Sequence, residues 1–209
     1  MSLVGTAWAP IGPSPISQGP NAVNGLVSAI AVNQVNANII YIGTAGGGAW
    51  RSSDGGATWK PLFDRQLSLA VGEPGALAID PGNTDVVYLG TSRRVSAQPQ
   101  MGLFKSTDGG GSWVLLGSGY PAGNVGNALQ FIGQWINVIL VDPSNGNVVY
   151  LASTSGCFRS TDAGRNWTLG TGSNGDARSL ALDASSPAGA RILYAGVSGV
   201  GVLRSSNGG

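Results

Sequence analysis

The pattern Ser-X-Asp-X-Gly-X-X-Trp recurs along this chain and constrains its fold more than any other feature. It reads Ser52-Ser53-Asp54-Gly55-Gly56-Ala57-Thr58-Trp59, then Ser106-Thr107-Asp108-Gly109-Gly110-Gly111-Ser112-Trp113, then Ser160-Thr161-Asp162-Ala163-Gly164-Arg165-Asn166-Trp167. A further copy, Ser205-Ser206-Asn207-Gly208-Gly209, stops before its Trp. The copies begin 54, 54 and 45 residues apart. A fixed period of this size is the signature of a repeat architecture, so the fold has to be read from the repeat.

Each repeat carries the same short apolar runs. The first covers residues 28–32, 76–79, 137–141 and 179–182, and a turn rich in Asp, Asn and Pro follows it. A second run, 39–44, 86–91, 148–153 and 192–197, contains a Tyr and ends in small residues. A third, such as Ala49-Trp50-Arg51 or Leu103-Phe104-Lys105, leads directly into the octet, and a fourth starts at the octet Trp, as in residues 113–116. The runs are rich in β-branched residues and punctuated by Gly, Pro, Asn and Asp, which is strand chemistry. No run sustains a 3.6-residue apolar period, so helices are expected to be scarce. Four strands per unit at this spacing predict an all-β chain built of four-stranded antiparallel β-propeller blades. The octet falls at the hairpin between the third and fourth strands. Its Asp can accept bonds from the turn's own amides, its Gly supplies positive φ, and its Trp anchors neighbouring blades. Ser52, Asp54, Gly56 and Trp59, Ser106, Asp108, Gly110 and Trp113, Ser160, Asp162, Gly164 and Trp167, and Ser205, Asn207 and Gly209 are therefore expected to be structural.

These octets resemble the Asp box, or bacterial neuraminidase repeat, of sialidases, sortilin-type receptors, xyloglucan-hydrolysing glycosidases and many bacterial propellers. The resemblance spans nearly the whole chain and implies a propeller whose ligand site lies on the face away from the boxes. The expected organisation is one propeller over residues 1–209. It has an outer strand and lead-in at 1–25, blades at 26–63, 75–117 and 135–170, and an incomplete blade at 177–209. Ala7-Trp8-Ala9-Pro10-Ile11-Gly12 is similar to Thr58-Trp59-Lys60-Pro61-Leu62-Phe63 and is a candidate outer strand for that last blade. Such a strand closes a four-bladed ring; an open arc instead leaves edges that invite self-association.

Composition removes several function classes. The chain has 209 residues, a net charge of +1 and no basic run, so nucleic acid is not an expected partner. No apolar run approaches the ~18 residues of a membrane helix, and the first residues lack the charged start and apolar middle of a secretory signal. Only 10% of residues are charged and 35 are Gly, a balance that fits an extracellular or periplasmic protein. The absence of His removes Ser-His-Asp and Cys-His constellations and His-ligated metals. Cys157 is the single cysteine, expected as a small core residue. No metal or cofactor is implied.

Arg51, Lys105, Arg159 and Arg204 stand at one repeat position and are expected to be solvated strand positions rather than a carboxylate-binding cluster. In xyloglucan-hydrolysing enzymes a Thr-Asp pair precedes the glycines of the first repeat and the Asp is catalytic; the matching position here is Ala45. Long loops on the face opposite the octets are the expected binding surface. They carry Asp64, Arg65 and Glu73, then Arg93 and Arg94, then Tyr120, Gln130, Gln134 and Trp135. Aromatics beside amides suit sugar stacking and hydroxyl recognition; packing of Phe131 and Trp135 against the blades is the competing expectation. The preferred reading is non-catalytic recognition of a carbohydrate or a protein surface. A glycoside hydrolase, whole or fragment, with carboxylates such as Asp64, Glu73 and Asp176 is the alternative, and a structural module is the third.

Overall fold

A computed structural model describes residues 16–18, 21–23, 26–44, 48–62, 74–91, 102–118 and 126–209. The first elements are a two-stranded ribbon of β1 (Ile16–Gln18) and β2 (Asn21–Val23). Three four-stranded antiparallel sheets follow, each in sequence order. They are β3 (Val27–Val32), β4 (Ile40–Thr44), β5 (Gly48–Ser52) and β6 (Lys60–Pro61); then β7 (Pro74–Ile79), β8 (Val87–Thr91), β9 (Leu103–Ser106) and β10 (Val114–Leu115); then β11 (Ile136–Asp142), β12 (Asn145–Ser153), β13 (Gly156–Ser160) and β14 (Thr168–Leu169). A fourth sheet has three strands, β15 (Ala177–Asp183), β16 (Ile192–Val197) and β17 (Gly201–Ser205). The fold is all-β, a series of β-propeller blades; the one helical turn among the described residues is a 3-10 turn at Ala128–Phe131. No helix of the described residues is long and apolar enough to cross a membrane.

The innermost strands pack side by side in the order β3, β7, β11, β15. Second strands such as β4 and β8 are buried along their whole length, and each packs against the first strand of the next blade, β4 on β7 and β8 on β11. That is why they read as continuous apolar runs rather than alternating ones. The approach between blades is close: a Cβ on Gly90 would lie 2.3 Å from Ile136 of the next blade. At the two ends of the series the blade faces are open. Ile30 (64% exposed) and Val32 on β3, and Tyr194 (43%) and Val202 (79%) on the fourth sheet, face solvent. The proposed outer strand at 7–12 lies outside the described residues.

The octet turns repeat atom for atom. Ser52 Oγ accepts from Gly56 N at 2.8 Å and donates to Asp54 Oδ1 at 2.8 Å, while Asp54 accepts from Thr58 N and Thr58 Oγ1 at 2.9 and 2.6 Å. Ser106, Asp108, Gly110 and Ser112 repeat it, as do Ser160, Asp162, Gly164 and Asn166. Gly55 and Gly56 sit at φ 73° and 93°, where Gly avoids the Cβ clash; Ala163 takes the first of those positions in the third octet at φ 58°. Trp113 and Trp167 are buried and each donates Nε1–H to its own turn, to Gly110 O and Gly164 O. Each Trp immediately precedes the outer strand instead of opening it, a one-residue correction to the sequence reading.

Neighbouring blades are latched at the octets. Tyr41 Oη donates to Gly109 O at 3.0 Å, and Tyr88 Oη to Ala163 O at 3.1 Å. The cations preceding the octets lie on these rings: the Arg51 guanidinium is 5.8 Å from the Tyr41 centroid and the Lys105 ammonium 5.2 Å from that of Tyr88. Lys105 also donates to Ala163 O at 3.2 Å, and its burial pulls its pKa down. These cations are thus half-buried between blades. The expectation of solvated positions holds only for Arg204, because the repeat places the others under the next blade's turn.

Candidate functional site

The octets bond to the turns between first and second strands, Gly55 N to Asn38 O, Gly109 N to Asp85 O and Ala163 N to Asn147 O. Octets and these turns therefore form one face of the blade series. The opposite face is made of the ends where first strands begin and second strands finish.

On that opposite face, each first strand starts with a register shift against its partner. The shifts fall between Val27 and Ala29, Pro74 and Ala76, Ile136 and Val138, and Ala177 and Ser179. A bulge of this kind adds one residue and re-aims its side chain. The side chains so placed are those of Ser28, Asn137 and Arg178. Asn137 Nδ2 crosses to the next blade and donates to Ala177 O at 2.7 Å. The Arg178 guanidinium comes over the Trp135 ring, 6.0 Å from its centroid. Arg178 also pairs with Asp176 through Nε at 2.6 Å, and this exposed pair contributes at most about 1 kcal/mol to stability. The other carboxylate oxygen, Asp176 Oδ1, is buried with no partner.

Trp135 is half-buried and held by the backbone. Its carbonyl accepts from Thr154 N at 3.1 Å and its amide donates to Thr154 Oγ1 at 3.3 Å. Thr154 Oγ1 in turn donates to Gln134 Oε1 at 2.8 Å. The structure thus brings Gln134 and Trp135 together with Thr154, Asn137, Asp176 and Arg178. Gln130 stands apart, exposed on the 3-10 turn. There Phe131 is fully buried, edge-on to Phe158 and Trp167 with centroids at 5.0 and 5.3 Å. Phe131 is therefore a packing residue, while Trp135 stands half-buried on the loop face. Asp64, Arg65, Glu73, Arg93, Arg94, Tyr120 and Ala45 lie outside the described residues.

Chemically, the cluster offers an aromatic face, a guanidinium, a carboxylate and two side-chain amides within one loop rim, a set suited to a polyhydroxylated ligand. Hydrolysis of a glycosidic bond would need a second carboxylate roughly 5–10 Å from the first. Among the described residues Asp176 is the one carboxylate on this face. Asp54, Asp108 and Asp162 are in octets, and Asp80, Asp85, Asp142 and Asp183 are in the turns of the opposite face. Sequence reasoning missed Arg178 and Asn137, whose placement depends on the bulge.

No protein-family model matches the chain. Among curated proteins it is similar to a xyloglucanase of Paenibacillus sp, 30% identical over 159 residues, which are 70% of this chain and 14% of that protein. It is also similar to xyloglucanase Xgh74A of Acetivibrio thermocellus, 28% identical over 156 residues, 69% of this chain and 17% of that protein. The chain thus spans less than a fifth of these relatives. Among solved structures it matches a GH74 enzyme of Niastella koreensis with a TM-score of 0.67 at 23% identity, covering 88% of this chain and 29% of that one. A YCF48 structure from Cyanidioschyzon merolae matches with a TM-score of 0.52 at 18% identity, covering 88% and 57%. The homologues are GH74 xyloglucanases, and the structural neighbours confirm the β-propeller architecture.

Proposed function

We propose that this chain is an Asp-box propeller segment of an extracellular, xyloglucanase-like glycoside hydrolase, and that its own loop face recognises a β-glucan chain of the xyloglucan class. The observation that carries the reading is the cluster of Trp135, Arg178 and Asp176, a half-exposed ring beside a guanidinium that a neighbouring carboxylate holds in place. A pyranose ring stacks on Trp135, while Arg178, held by Asp176 Oδ2, donates to hydroxyl oxygens. The relatives' names supply the substrate class. The test is titration calorimetry with xyloglucan oligosaccharides. Binding by the chain that weakens at least about tenfold in Trp135→Ala, with unchanged circular dichroism, supports recognition; equal binding by both refutes it.

A second reading rests on the unpaired Asp176 Oδ1. That carboxylate, with Asp64 or Glu73, is a candidate acid/base pair for hydrolysis. Release of reducing sugar from xyloglucan, lost in both Asp176→Asn and Asp64→Ala, favours that reading over recognition alone; no release by the wild-type chain counts against it.

A further inference from the structure

Three Asn-Gly pairs lie among the described residues, Asn145-Gly146, Asn174-Gly175 and Asn207-Gly208; a fourth, Asn24-Gly25, lies outside them. In such a pair the Gly amide nitrogen can attack the Asn side-chain carbonyl, since Gly has no Cβ to crowd the ring that forms. The attack needs a Gly N–H released from other bonds and an Asn side chain able to turn toward it. Folding withholds these from two of the pairs. Gly208 N donates to Arg191 O at 2.9 Å, and Asn207 Oδ1 accepts from Ser205 Oγ at 2.7 Å. Asn145 Oδ1 accepts from Asn147 N at 3.1 Å, and Gly146 lies against the preceding blade, where a Cβ would collide with the Asp80 carboxylate. The third pair differs. Asn174 is exposed, and neither its side chain nor the Gly175 amide makes a hydrogen bond among the described residues. The loop between β14 and β15 is tied on both sides of them. Ser173 Oγ donates to Cys157 O and Gly170 O at 3.1 and 2.8 Å, and the Ser173 carbonyl accepts from Cys157 N at 3.3 Å. Beyond the pair, Asp176 O accepts from Ser198 N at 2.8 Å. Asn174 and Gly175 span the gap between these anchors, with Gly175 at φ 122°, a conformation that favours Gly.

We propose that Asn174-Gly175 is a site of spontaneous covalent modification that adds a negative charge to the loop face beside Asp176 and Arg178. Gly175 N forms a bond to Asn174 Cγ while the bond from Cγ to Nδ2 breaks, and the Gly175 amide proton leaves with that nitrogen as ammonia. Water then opens the cyclic imide. Attack at Cγ leaves an aspartyl side chain at position 174. Attack at the backbone carbonyl leaves an isoaspartyl link, in which the chain runs through the former side chain and is one atom longer. In both cases an amide and a water become a carboxylate and ammonium; nothing is oxidised or reduced. The change falls where it matters to the loop face. Asp176 holds Arg178 through its Nε at 2.6 Å, and Arg178 lies over the Trp135 ring. An added carboxylate just ahead of Asp176 gives Arg178 a second anionic neighbour. The longer isoaspartyl backbone has to be taken up between the anchors at Ser173 and Asp176. The modification does not depend on what the loop face binds.

Incubation of the full chain at pH 8 tests this, followed by peptide mapping with fragment-ion localisation and labelling by an isoaspartyl-specific methyltransferase. The folded chain should convert position 174 at least about tenfold faster than position 145 or 207, because bonded amides react only after local opening. In guanidinium chloride the three pairs should convert at similar rates, which assigns the order to the fold and not to the sequence. Asn174→Gln should leave the peptide spanning position 174 unlabelled, since the larger ring closes far more slowly. Conversion at position 145 that matches or exceeds that at 174 in the folded chain overturns the proposal. So does an unchanged Asn174 in the folded chain over a time in which the unfolded chain has converted it, which would mean that the loop holds the pair in a geometry that forbids the ring.

Discussion

Replacing Arg191 by Ala should be among the most destabilising single changes in the described residues. Arg191 is 3% exposed and ties the fourth blade to the third. Its Nε donates to Asp142 Oδ2 at 2.7 Å and Nη2 to Asp142 Oδ1 at 2.8 Å, a bidentate pair across 49 positions of sequence. Nη2 also donates to Ser144 Oγ at 2.7 Å, and Nη1 to the carbonyls of Ala184 and Ser186. Truncation leaves the Asp142 carboxylate, 1% exposed, with only the Ser144 amide and hydroxyl for company. Breaking a buried pair by removing one partner costs about 3–5 kcal/mol, because the remaining charge stays desolvated. For a chain of this size that is a fall of about 6–20 °C in Tm. Replacing both partners, Asp142→Leu with Arg191→Leu, should cost less than the sum of the single changes, since no lone charge remains. Urea denaturation of the wild type, both single variants and the double variant, followed by circular dichroism at pH 7, gives all four stabilities. A loss below about 1 kcal/mol in Arg191→Ala, or strict additivity in the double variant, would refute the clasp.

Other outcomes follow from the same geometry. The Arg191 guanidinium holds the Asp142 carboxyl down at about 2, and the Thr58 hydroxyl and amide do the same for Asp54. Both folded pKa values lie below the unfolded one, so their stabilisation is full above about pH 4 and is lost as pH falls toward 2; acid titration at fixed urea should show that limb, less steep in Arg191→Ala. Tyr88→Phe removes the bond to Ala163 O and should cost about 1 kcal/mol by urea denaturation. Burial raises the Cys157 thiol pKa, so its alkylation at pH 8 should run slower than that of a free thiol and reach the free-thiol rate in urea.

The repeat was legible because each octet position answers to one local requirement. Ser52 and Asp54 bond within seven residues of chain, and Gly56 meets its φ there, so type and spacing sufficed. The latches were half legible. A Tyr and a cation recur at fixed offsets, yet Arg51 and Lys105 looked like surface charges, because nothing local says that a Tyr ring and the next blade's turn will close over them. The Asp142–Arg191 clasp was not legible, since it joins one turn to the start of a strand in the following blade. The loop-face cluster was legible at Gln134 and Trp135 and not at Arg178. Strand alternation from Ala177 gives a face for Arg178 only if the register is unbroken, and the shift before Ser179 breaks it.

That shift bears on function through the distribution of charge. On the octet face, carboxylates are consumed by turns: Asp54 and Asp183 by local hydroxyls and amides, Asp142 by Arg191. Against a burial penalty, Ser112 lowers Asp108 and Asn166 lowers Asp162 in the same way. Each of these carboxylates is thereby committed to holding its own turn or blade. On the loop face, Asp176 keeps one oxygen unbonded while the bulged Arg178 occupies the other. Because Arg178 must bend from the Trp135 ring to reach that carboxylate, it couples the stacking surface to the acceptor. Arg178→Lys preserves the charge and removes the planar contact with the ring. Oligosaccharide affinity should therefore fall in Arg178→Lys nearly as far as in Arg178→Ala if the ring and carboxylate act together, and stay near wild type if only charge matters.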